Sequence, residues 1–161
     1  MRHLEQETHY DAPIERVFDL ATDPSRISEM MPWLRIFEVK GRGDAVGDSF
    51  KFEDEVLGQK RRGTTIVRAV ERPNHQTTES LYEDGSRATW EMRFTPAGNG
   101  TDGRDEVTYD LAGVLGGLEE TILGPLIRRR LEEGGERFKA MLAATPPAAA
   151  VAPSGTTEQG A

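Results

Sequence analysis

The chain has 161 residues, with 20 Lys and Arg against 28 Asp and Glu and a net charge of −8. Hydrophobic residues at 36% and charged residues at 30% describe a polar globular chain with apolar material for one core, which excludes a disordered or fibrous class. The acidic balance argues against broad nucleic-acid binding, and the lack of cysteine excludes disulfides, thiolate nucleophiles and cysteine-ligated metal or iron–sulfur sites.

The N-terminal MRHLEQETHY has no apolar segment of a secretory leader, and no later run approaches the length of a membrane span. A soluble, cytoplasmic protein without stable membrane insertion is therefore expected. Residues 2 to 10 alternate, with Leu4, Gln6, Thr8 and Tyr10 on one side, which predicts a first strand. DAPIERVFDLATDP then changes period. Pro13 suits the first helical position, Ala12 the cap before it, and Glu15 the reach back to the cap N–H. Ile14, Val17, Phe18 and Ala21 share one apolar helix face. Asp23 and Pro24 restart the pattern for a second short helix carrying Ile27, Met30 and Met31, which Pro32 ends.

From Trp33 to Gly113 the punctuation is that of a sheet. WLRIFEV is a strand closed by a turn at Gly41 to Asp44. SFKFEDEV and RRGTTIVRAV form a hairpin about LGQK, with Glu55 expected near Arg62. HQTTESLY follows a turn at Pro73-Asn74, and Glu83 to Ser86 turns into RATWEMRF, where Ala88, Trp90, Met92 and Phe94 alternate with polar residues. A glycine-rich loop, Pro96 to Arg104, precedes the last strand, EVTYDLAG. Short strands joined by tight turns argue an antiparallel meander. After Gly113 the period returns to 3.6, and one long helix is expected with a stripe from Leu118 to Leu142 and a kink or restart at Pro125. Residues 144–161 are rich in Ala and Pro without periodicity, and a disordered tail is expected there, leaving one domain over 1–143.

The segments YDAPIERVFDLATDPSRISEMMPWL, VGDSF, VRAVERPNH and EVTYDLAGVLGGLEE resemble the START-like, or SRPBCC, superfamily, which includes polyketide cyclase/dehydrase and lipid-transport proteins. The resemblance runs from residue 2 to about 142. It implies an α+β helix-grip fold: a curved seven-stranded antiparallel sheet, two short helices after strand 1, and a long C-terminal helix packed in the sheet. It also implies a cavity for an apolar ligand between sheet and helix, which the short helices close at one end. The inward faces of such a fold supply Met30, Met31, Trp33, Phe50, Phe52, Trp90, Met92, Tyr109, Leu111, Leu123 and Ile127 as candidate ligand contacts. Gly134 and Gly135 would leave room beside the helix.

Catalytic motifs are sparse. His3 and His9 share the exposed side of the first strand and His75 follows a turn, with no carboxylate completing a metal site, so no metal is expected. No nucleophile elbow, Walker loop or dinucleotide fingerprint occurs, and no cofactor is expected; GVLGGLEE reads as a hinge at the cavity mouth. The sharper candidates are polar residues in phase with apolar ones. Asp54 follows Phe50 and Phe52, and inward burial would raise its pKa. Tyr109 lies between Val107 and Leu111, and Arg68 has a strand of ambiguous phase. Arg128 to Arg130 with Glu132 and Glu133 reads as a solvated helix face. Three functions remain open at this level: binding of a hydrophobic small molecule, a polyketide cyclase or dehydratase using Asp54, Tyr109 or Arg68, and a protein-interaction module with Arg128 to Arg130 as its contact.

Overall fold

The alternating N-terminal segment forms β1 (Arg2–Tyr10) and sits at one edge of a seven-stranded antiparallel sheet ordered β1-β7-β6-β5-β4-β3-β2. The computed structural model describes residues 1–144, with the side chains of residues 114, 119 and 120 left aside; the expected tail lies, but for Ala144, outside the described residues. The remaining strands are β2 (Leu34–Lys40), β3 (Ser49–Val56), β4 (Gln59–Glu71), β5 (His75–Tyr82), β6 (Arg87–Ala97) and β7 (Gly100–Asp110). The helices are α1 (Ile14–Thr22), α2 (Ile27–Met30), α3 (Gly113–Gly117) and α4 (Gly124–Ala144). This is the helix-grip fold.

Turn chemistry fixes the register. Val56 pairs with Gln59 across Leu57 and Gly58, whose φ values are 51° and 80°. A two-residue hairpin turn with both φ positive matches the twist of its strands. That register sets Glu53 opposite Arg62 and Glu55 opposite Lys60, so the expected Glu55–Arg62 pair is replaced by Glu53–Arg62, with Arg62 Nε donating at 3.0 Å. The expected loop from Pro96 to Arg104 is also corrected. β6 and β7 run through it and turn at Gly98 and Asn99, with Ala97 opposite Gly100. Pro96 is tolerated because its missing N–H points as that of Phe94 does, towards β5, and β5 has ended by then.

Helix α1 buries Ile14, Val17, Phe18 and Leu20 against Tyr10, Phe94, Phe138 and Leu142. Pro13, with ψ 151°, is itself the N-cap, so the expected Ala12 cap and Glu15 reach-back do not form. Asp23 caps the 3-10 turn Pro24–Arg26 through Ser25 N at 2.9 Å and leads into α2. The single long C-terminal helix is broken. Short α3 is followed by a π-helical turn, Glu119–Leu123, and α4 begins at Gly124 with Pro125 in its first turn, where no intrahelical N–H is needed. α4 then runs unbroken through Gly134 and Gly135. Among the described residues no helix is long and apolar enough to cross a membrane.

Candidate functional site

Between the concave sheet and α4 lies a cavity of about 260 Å³. On its helix side stand Met30 of α2, Met31 just after it, Trp33, Ile127 and Leu131. On its sheet side stand Phe50, Phe52, Trp90, Met92 and Tyr109, with Leu111 at the end of β7. Ten of the eleven candidate contacts thus border one space. Leu123 does not: at 1% exposure it packs with Val56 and Leu115 in a separate apolar cluster. Leu118 and Leu126 pack against that same cluster. Gly134 and Gly135 do face the cavity.

The polar candidates separate. Asp54 points inward and is 7% exposed. Its Oδ1 accepts from Arg130 Nη1 at 3.2 Å, and its Oδ2 lies 4.0 Å from Arg61 Nη1. Burial pushes its pKa up against the pull of both guanidinium groups. Tyr109 is buried and borders the cavity. Arg68 is corrected: it is exposed and donates to Glu79 at 2.9 Å on the outer face. Plain alternation from inward Arg61, Gly63, Thr65 and Val67 puts Arg68 on the outward face with Arg62, and the register shift of β4 comes only after Val67.

Arg61 completes one polar end. Its side chain is 8% exposed, its Nε donates to Asp84 at 2.9 Å, and its guanidinium lies 4.0 Å over the Tyr82 ring. Its Nη2 is buried without a hydrogen-bond partner among the described residues. Burial, with Asp54 beside it, pushes the Tyr82 hydroxyl up to about 12. Arg130 leaves the solvated face assigned to it. Its guanidinium lies 5.3 Å from the Trp33 ring and donates to Glu55 O at 2.6 Å, while Arg128 and Arg129 stay exposed.

The other polar end is Asp105 on β7, opposite Gln6 of β1. Its carboxylate accepts from Trp90 Nε1 at 3.1 Å, and burial pushes its pKa up to about 6.

On the outer face His3, Glu5 and Glu106 bring ligand atoms within 4.8 Å of one another. Carboxylates thus do stand beside His3, where the sequence offered none to complete a metal site. Arg104 already pairs with both glutamates, at 3.1 and 2.9 Å, so a cation fills the middle of the cluster.

Residues 1–143 match the family described as polyketide cyclase/dehydrase and lipid transport. The chain belongs to that family. Solved structures share the fold. TTHA0849 from Thermus thermophilus superposes with a TM-score of 0.75 at 23% identity, over 89% of this chain and 98% of that one. Ara h 8.0201 gives 0.67 at 12%, over 89% and 99%. Ms6760 from Mycobacterium smegmatis gives 0.66 at 19%, over 90% and 93%. No match is found among curated protein sequences.

In this family member the residues missed from sequence share one cause, a side-chain phase that only the pairing or the helix face reveals. Asp105 is in phase with Val107 and Tyr109, but the sequence pattern starts the last strand at Glu106; the pairing of Met92 with Asp105 carries the signal. Arg61 is in phase with Gly63, Thr65 and Val67, all buried, and lies opposite Asp54. Arg130 follows Ile127 by three residues and so shares its inward face.

Proposed function

We propose that the protein binds a compact, mainly apolar small molecule in the cavity between sheet and α4, as a carrier, sequestering protein or sensor. The observation that carries this reading is the cavity itself: largely apolar and aromatic walls, with a polar row of Gln76, Thr78 and Ser80 along β5 and charged groups at the Arg61 and Asp105 ends. Ligand sites take this form, with a few polar groups orienting an apolar body. A volume of about 260 Å³ is near the low end of such sites and favours a compact body over a two-chain lipid. Met30, Met31 and Met92 give the wall adaptable side chains. Membership of a family described by lipid transport supports the same reading.

Native mass spectrometry before and after organic extraction tests it. An extra mass that extracts as an apolar compound is expected. No bound mass, and no rise in melting temperature across a panel of apolar aromatic, alicyclic and short-chain compounds, would refute it.

A second reading, a polyketide cyclase or dehydratase, draws on Asp54. A carboxyl of raised pKa held between Arg61 and Arg130 inside a substrate-sized space has the makings of a general acid beside a carbonyl-polarising cation. Asp54→Asn separates the two: ligand affinity kept with turnover lost supports the enzyme, and no turnover in either protein supports the carrier.

A further inference from the structure

The two polar ends of the cavity differ in charge balance. At one end Arg61 and Arg130 face Asp54 and Asp84, so two guanidinium groups meet two carboxylates. Arg87 also lines the cavity and pairs with Glu79 at 3.6 Å, so each of the lining guanidinium groups has a carboxylate of its own. At the other end Asp105 stands alone. Trp90 is its one hydrogen-bond donor, and no Lys, Arg or His pairs with it among the described residues.

The elements around Asp105 bring no counter-charge. β1 presents Gln6 and Tyr10, and β6 presents Trp90 and Met92. From α4 come Gly134, Gly135 and Phe138. Tyr10 is the titratable group among these, and burial with Asp105 nearby pushes its hydroxyl further up, so it stays neutral. Arg104 and Glu106, the chain neighbours of Asp105, pair with Glu5 and each other on the outer face. Asp105 is part-buried on the cavity wall, and a carboxylate there with one neutral donor and no counter-charge favours a proton or a cation.

A protonated amine supplies both the charge and up to three donors. The aromatic rings of Tyr10 and Phe138 line the same cavity, and aromatic rings can attract a cation. The net charge of −8 also raises the concentration of cationic ligands near the surface. We propose that the cavity's ligand is a protonated apolar amine, with its ammonium group against Asp105 and its hydrocarbon or aryl body along Trp90, Met92 and Met31. This rests on the cavity-binding reading and names its ligand class.

The test is calorimetric titration of the full chain with three probes that share one bicyclic aryl body. One ends in an ethylammonium group, one in a neutral propyl group and one in a propanoate. At pH 7.5 the amine should bind about tenfold tighter than the neutral probe, and the carboxylate weakest; tenfold is the equivalent of ~1.4 kcal/mol. In Asp105→Asn the amine and neutral probes should come within about twofold of each other, with the neutral affinity kept. Lowering the pH from 7.5 to 5 protonates a carboxyl that titrates near 6, so amine affinity should fall about tenfold while neutral affinity holds. Equal binding of the amine and neutral probes, or an amine preference that survives Asp105→Asn, overturns the inference and leaves the cavity reading standing. No binding by any probe overturns both. The neutral probe doubles as a check that Asp105→Asn keeps a native cavity.

Discussion

Asp105→Asn should stabilise the ligand-free protein at neutral and alkaline pH. The carboxyl moves from its usual 3.8 to about 6 on folding, because burial penalises its charge more than the Trp90 hydrogen bond supports it. The folded state therefore holds its proton more tightly than the unfolded state. Between pH 3.8 and about 6 the native protein binds more protons than the unfolded chain, so this group's contribution falls as pH rises through that window and then levels off. Two pKa units correspond to a penalty of about 3 kcal/mol at pH 8. Asparagine keeps an acceptor for Trp90 Nε1 and cannot ionise. The variant should therefore match the native protein near pH 3.5 and exceed it by up to ~3 kcal/mol at pH 8. For a domain of this size that is a melting shift of roughly 6–12 °C. Urea melts of both proteins at several pH values, followed by tryptophan fluorescence, give the difference directly. A stability difference that stays flat between pH 3.5 and 8, or an asparagine variant weaker at pH 8, would refute the claim that Asp105 is an uncompensated, part-buried charge.

Asp54→Ala should cost about 3 kcal/mol or more in chemical denaturation, because it leaves the Arg61 and Arg130 guanidinium groups without their shared carboxylate. Phe18→Ala, at a fully buried ring packed edge-on to Phe94, should cost about 3–5 kcal/mol by the same assay. Gly103→Val should cost about 1–3 kcal/mol, since a Cβ there would stand 2.7 Å from Tyr10 Cε2 and 3.3 Å from Phe94 Cε1. Gly134→Ala should gain about 1 kcal/mol in helix propensity, because its Cβ would meet its nearest neighbours at an ordinary 3.7 Å. Gly134→Leu should instead push a side chain against Met31 and Trp33 and weaken binding of the neutral aryl probe.

The architecture is legible in the sequence because its signals are local and mutually consistent. Alternation in β1 and β6, the Asp23-Pro24 restart and the return to a 3.6 period after Gly113 each mark an element that the structure contains. The errors arise where backbone irregularity shifts phase. The register shift after Val67 breaks the alternation of β4, and the π-helical turn Glu119–Leu123 interrupts the 3.6 period before α4. Neither leaves a residue-type signature in VRAVE or EETIL. Asp105 escapes for a different reason: the glycines and charges of GTDGRDE read as a loop, and only the cross-strand pairing with β6 makes them a strand.

Two features of the cavity wall, one on α4 and one on β7, run against stability. Gly134 stands where alanine fits and would favour the helix. Asp105 stands ionisable where a neutral side chain of the same shape would lift the burial penalty. A core built only for stability would fill the first position and neutralise the second. Both lie on the cavity wall, where a ligand of the proposed class would find room for its body beside the glycine and a charge to meet at the carboxylate. A ligand that occupies the space and pairs with Asp105 relieves the burial penalty and covers the apolar surface that the glycine leaves open. Such a ligand stabilises the protein by mass action in proportion to the logarithm of its concentration over its Kd. The stability missing from the empty protein and the affinity for its ligand are then two measurements of the same contacts.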